Sequence, residues 1–116
     1  MEKLERHRAV ISQGDSLSNA FRLGNRKVVG FCIPSNIDDA TILTFQTQNP
    51  LTGEYANLYD DAGQEVSVSI GTSRNVSVGS ASMALAPWEY IKIRLGTSSS
   101  PVTATANREI VVIMKE

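Results

Sequence analysis

Short runs of apolar and β-branched residues recur along the chain, separated by clusters of Gly, Pro, Asn, Asp and Ser. Thr41-Ile-Leu-Thr-Phe-Gln-Thr47 is dense in strand formers, and Glu65-Val-Ser-Val-Ser-Ile70 alternates polar and apolar positions. Ala9-Val-Ile11 and Glu109-Ile-Val-Val-Ile-Met114 supply apolar runs near the two ends. The pattern predicts strands near 9–13, 16–23, 27–34, 41–48, 55–59, 65–70, 74–78, 88–95 and 108–115. Val66, Val68 and Ile70 fall on one face of their strand, with Ser67 and Ser69 on the other. Ile91, Ile93 and Leu95 share a face opposite Tyr90, Lys92 and Arg94, which reads as a wet outer face. Ser80–Ala86, before Pro87, fits a helical turn, and the charged residues 1–8 fit either a short helical turn or a flexible arm. Many short strands without a strong helix predict an all-β, jelly-roll-like β-sandwich of about eight antiparallel strands.

At 116 residues the chain fits one domain with a single core, and 41% apolar residues support a folded protein. Residues 1–8 are charged and are expected to form a short N-terminal arm that a partner would order, leaving 9–116 as the sandwich domain. No signal peptide and no transmembrane window is expected, so no membrane partner is expected either. Cys32 lies in the apolar run Val28-Val-Gly-Phe-Cys-Ile33 and reads as a buried, inert thiol; one cysteine forms no internal disulfide and fits a reducing compartment.

A formal charge of −1 argues against a globally basic nucleic-acid binder. The charge is unevenly spread. Residues 1–27 carry Lys3, Arg6, Arg8, Arg22, Arg26 and Lys27, whereas no Lys or Arg occurs from Val28 to Ser73, where Asp38, Asp39, Glu54, Asp60, Asp61 and Glu65 lie. These are either solvated surface or two ends of opposite sign that meet complementary partners.

The inventory for catalysis is thin. The single histidine, His7, sits between Arg6 and Arg8 and reads as a mobile surface residue rather than a general base. One His and one Cys do not build a zinc site. The adjacent pairs Asp38-Asp39 and Asp60-Asp61 are explained by turn chemistry, in which Asp side chains bond nearby backbone. Calcium at Asp60–Glu65 stays open, although the spacing is not that of an EF-hand. No phosphate or dinucleotide fingerprint occurs, and Asn75-Val76-Ser77 is a formal glycosylation acceptor without a secretion signal. Trp88 and Tyr90 stand two apart, which offers a platform for a sugar; alternatively Trp88 plugs an end of the sandwich and Tyr90 presents its hydroxyl at the rim.

Taken in order, several phrases form a wider pattern: Ile11-Ser-Gln-Gly-Asp-Ser-Leu-Ser18, Arg22-Leu-Gly24, Gly30-Phe-Cys-Ile-Pro-Ser35, Leu43-Thr-Phe-Gln-Thr47, Asn57-Leu-Tyr-Asp-Asp-Ala-Gly-Gln-Glu65, Ile91-Lys-Ile-Arg-Leu-Gly-Thr-Ser98, Pro101-Val102 and Arg108-Glu-Ile-Val-Val-Ile113. Over residues 9–115 this resembles the small β-rich proteins of tailed-bacteriophage and prophage structural gene clusters, and among them the head decoration, or cement, proteins. The resemblance implies a jelly-roll-like sandwich on the outer capsid surface of the virion, made in the host cytoplasm, that bridges neighbouring subunits of the major capsid protein. It also implies a homo-oligomer, dimer or trimer, and neither catalytic residues nor a cofactor. Arg6, Arg8, Arg22, Arg26 and Lys27 are the expected electrostatic contacts to the capsid. A carbohydrate-binding module carried by Trp88 and Tyr90, or a tail or head-completion component, remains the alternative.

Overall fold

The computed structural model describes residues 3–116. Among them are nine strands and one helix: β1 (Leu4–Ile11), β2 (Phe21–Arg22), β3 (Lys27–Cys32), β4 (Ile42–Gln48), β5 (Tyr55–Asn57), β6 (Ser67–Ser69), β7 (Asn75–Ser77), α1 (Ser80–Leu85), β8 (Tyr90–Leu95) and β9 (Arg108–Lys115). They form two antiparallel sheets. The first has the order β1-β9-β3-β7, and the second the order β2-β8-β4-β5 with β6 also paired to β4.

β5 and β6 are two halves of one edge strand. β5 pairs with the C-terminal half of β4 and β6 with its N-terminal half. Between them Leu58–Val66 leaves the sheet as a hairpin, closed by the Val66 N–H bond to the Leu58 carbonyl and the Tyr59–Glu65 bridge. With β5 and β6 counted as one, the strands nest in antiparallel pairs β1·β9, β2·β8, β3·β7 and β4·β5/β6, split between two sheets. That nesting is the eight-strand jelly roll, the architecture expected from the sequence.

Period-two alternation puts Leu43, Phe45, Ile91, Ile93 and Leu95 on the inner face of the second sheet, each fully buried. Ala9, Ile11, Val28, Phe31, Ile110, Val112 and Met114 line the first. Phe31 and Phe45 meet across the interior with ring centroids 6.0 Å apart. The helical turn expected at 80–86 is α1, whose Ala81 and Leu85, one turn apart, are buried. A bulge interrupts β3 between Val28 and Gly30. A Cβ at Gly30 would stand 3.1 Å from the Val76 carbonyl oxygen, so a residue without one lets β7 approach.

Four expectations need correction. Residues 4–8 are not an arm: they form the first half of β1, each paired to a residue of β9, from Leu4 opposite Lys115 to Arg8 opposite Val111. The long-range ladder overrides the poor local strand propensity of this charged stretch; Met1 and Glu2 lie outside the described residues. His7 is not a mobile surface residue, because it points inward from β1, half-buried and stacked on Phe21 at 4.3 Å. Cys32 is half-exposed on the outer face of the first sheet rather than buried, since Phe31 and Ile33 take the inward positions. The expected strand 16–23 meets β8 at Leu17 and again at Phe21–Arg22, but the ladder is interrupted between them, where the Ser18 hydroxyl accepts the Ile93 N–H in place of a backbone carbonyl and Asn19 bonds Val10 of β1.

Candidate functional site

The outer face of the first sheet collects residues from both ends of the chain. In register, Arg6 lies opposite Ile113, Arg8 opposite Val111 and Val10 opposite Glu109. Across β9, Gly30 faces Ile113, Cys32 faces Val111 and Lys27 faces Lys115. The result is a half-exposed apolar stripe of Val10, Cys32, Val111 and Ile113, bordered by exposed Arg6, Arg8 and Lys27. Arg8 is held by Glu109 at 3.2 Å. Arg6 and Lys27 have no ion-pair partner among the described residues, so their charge is available to another surface.

Arg22 and Arg26 lie elsewhere. Arg22 bonds Glu89 at 2.8 Å on the second sheet. Arg26 pairs with Glu5 and bonds the Leu23 and Arg22 carbonyls, tying the turn after β2 to β1. Of the five expected contact residues, the fold thus gathers Arg6, Arg8 and Lys27 and employs the other two in internal bonds. The apolar stripe was missed by sequence reasoning. Its signal is the unbroken apolar run Ile110–Met114, in which Val111 and Ile113 occupy outward positions where alternation would place polar residues.

The outer face of the second sheet is polar. Lys92 stands over the Tyr55 ring at 4.3 Å from its centroid. Burial, then the nearby Tyr90, raises the Tyr55 hydroxyl pKa above its ordinary value. Arg94, read from the sequence as part of a wet face, is only 6% exposed. Its guanidinium donates to Asn57 Oδ1 at 2.7 Å and lies 3.7 Å from Glu65. Gln46 also donates to Asn57 Oδ1. Glu65 in turn accepts the Ser98 N–H at 3.1 Å, so one cluster binds the inserted hairpin and the loop after β8 to the sheet.

Trp88 and Tyr90 border one depression with Gln48, Pro50, Pro87 and Glu89. Tyr90 is 38% exposed, whereas Trp88 is half-buried and packs against the core. Trp88 also forms a wall of a cleft of about 500 Å³ beside β5, with Leu51, Ala56, Leu58 and Tyr59.

One member of each acidic pair has structural partners. Asp60 accepts the Ala62 and Gln64 N–H groups, both at 2.9 Å, which makes the turn at the hairpin tip. Asp38 and Asp39 both adopt positive φ. The Asp38 carboxylate receives a bidentate bond from Arg108, at 2.9 Å for each arm, and a third bond from the Thr105 hydroxyl. Those bonds, led by Arg108, hold the Asp38 carboxyl well below the usual carboxylate range. Burial, and secondarily the Arg26 charge, lower the His7 pKa, and its Nε2 has no hydrogen-bond partner among the described residues. No cluster of three or more potential metal ligands occurs among the described residues.

No protein-family model matches the chain, and no curated protein matches it. Among solved structures it is similar to the crystal structure of SPBc2 prophage-derived protein YomS. The TM-score is 0.60 at 11% sequence identity, over 100% of this chain and 96% of that one. The similarity spans both sheets and establishes a shared fold.

Proposed function

We propose that this chain is a virion structural protein, a decoration or cement subunit that binds the outer surface of a phage head through the exposed face of its first sheet. One observation carries the reading: the stripe of Val10, Cys32, Val111 and Ile113, bordered by Arg6, Arg8 and Lys27, on the outer face of the four-stranded sheet. An apolar centre with a charged rim is the anatomy of a protein interface. Arg6 and Lys27, which have no ion-pair partner among the described residues, suit the acidic surface of a major capsid protein, and many copies on one lattice gain avidity from modest single contacts. The jelly-roll fold shared with a prophage-derived protein and the ordered sequence phrases support the same reading.

A half-buried Trp88 favours this reading over sugar binding, which needs a flat, open aromatic platform. The test is co-sedimentation with expanded heads prepared without the protein. Wild type is expected to saturate at a fixed copy number. The double substitution Arg6→Glu/Lys27→Glu is expected to weaken attachment at least about tenfold, since a factor of ten is only ~1.4 kcal/mol. Attachment unchanged by the double substitution would overturn the assignment of this face.

A further inference from the structure

The opposite edge of the molecule carries a second surface with different chemistry. β5 ends its sheet, and its bonds to β4 fix which backbone groups are free. The Leu58 N–H bonds the Phe45 carbonyl and the Asn49 N–H bonds the Glu54 carbonyl, so Ala56, between them, faces Thr47 as a hydrogen-bonded pair. Tyr55 and Asn57 therefore turn their N–H and C=O groups outward along an unpaired edge.

Directly inside that edge lies the cleft walled by Leu51, Ala56, Leu58, Tyr59 and Trp88. Leu51 is 94% exposed and Tyr59 is 51% exposed. A strand laid beside β5 would point every second side chain into this cleft. Glu54 lines the cleft, and Asp60 and Asp61 are exposed on the hairpin that follows it, while Lys92 and Arg94 are held against Tyr55 and Asn57 on the outer face of the sheet; the sequence holds no Lys or Arg between Val28 and Ser73.

We propose that β5 is a strand-addition site for an extended peptide segment of a partner protein, with one apolar side chain seated against Trp88 and Leu58 and flanking Lys or Arg residues facing Glu54, Asp60 and Asp61. Main-chain bonds to Tyr55 and Asn57 give affinity, and the cleft with its acidic rim gives specificity. The site is separate from the basic face and independent of what that face binds.

Trp88 is the only tryptophan, so its emission reports on the cleft. The full chain is titrated with acetyl-Lys-Thr-Leu-Thr-Lys-amide. The expected result is a saturable blue shift of Trp88 emission. Replacing the peptide's central Leu by Asp, or N-methylating its laddering amides, should weaken binding at least tenfold. Both changes leave the protein untouched. Glu54→Lys/Asp61→Lys should weaken this peptide at least tenfold and favour its Glu-flanked counterpart. No shift, or equal binding of the N-methylated peptide, would overturn strand addition. A shift that grows with protein concentration alone, together with larger species in sedimentation, would overturn the peptide assignment in favour of a second copy of this chain.

Discussion

Replacing Arg94 by Ala probes whether a cluster hidden on the outer face of the second sheet holds the inserted hairpin. Arg94 is 6% exposed, and Glu65, at 3.7 Å, keeps its side chain 16% exposed. Removal leaves the Glu65 carboxylate without its cation and Asn57 without its 2.7 Å donor. Breaking a buried pair from one side costs about 3–5 kcal/mol, and the residual access of Glu65 to water reduces this to about 2–4 kcal/mol. For a domain of this size that lowers Tm by roughly 8–16 °C. Urea unfolding followed by Trp88 emission measures it, with an unchanged m-value marking a stability change alone. Arg94→Ala/Glu65→Ala should be less destabilised than the sum of the two single substitutions, with a coupling of about 1–3 kcal/mol. A loss below about 1 kcal/mol for Arg94→Ala, with additive double-mutant behaviour, would refute the buried-pair argument.

His7 has a folded pKa below its ordinary value of 6.5, so the unfolded chain binds the proton more readily. Its neutral form favours folding above pH 6.5, and this contribution falls as pH drops below 6.5; His7→Phe should flatten that slope in urea midpoints measured against pH. Asp38 contributes in the same sense, over a more acidic range. Its depressed carboxyl stabilises the fold above its ordinary pKa of 3.8 and loses that contribution at lower pH, so Asp38→Asn should lower Tm at pH 7 and shrink the acid-induced drop. Phe45→Ala empties a fully buried site between the sheets and should cost about 3–5 kcal/mol in urea unfolding. Gly30→Val would press on the Val76 carbonyl from 3.1 Å and should cost about 1–3 kcal/mol, seen as faster hydrogen exchange in β7.

The strand segments were legible because alternation in Glu65–Ile70 and the apolar runs around Leu43 and Ile91 are local signals. β4, β8 and β9 fall within a residue or two of the spans expected for them. Pairing was less legible. Leu4–Arg8 reads as a charged arm until β9 stands beside it, and only that long-range ladder turns Glu5 and His7 inward and Arg6 and Arg8 outward. Arg94 sits at an outward position of β8, and its burial comes from a hairpin and a loop that fold over it from elsewhere in the chain. The basic face is a mixture of both cases. Its charges are visible in residues 1–27, but the ladder decides that Arg6, Arg8 and Lys27 share a surface while Arg22 and Arg26 are used internally. Cys32 was misplaced for a related reason: a run apolar on both faces does not say which residues point outward.

Cys32, the sole cysteine, lies within the proposed docking face, so its alkylation footprints that face. The decisive measurement is the rate of maleimide labelling of Cys32 in free protein and in protein co-sedimented with heads prepared without it. Docking through the first sheet predicts saturable attachment at a fixed copy number and labelling slowed at least about tenfold on the head. Saturable attachment with unchanged Cys32 labelling would contradict the docking face, and no attachment would contradict the decoration role itself.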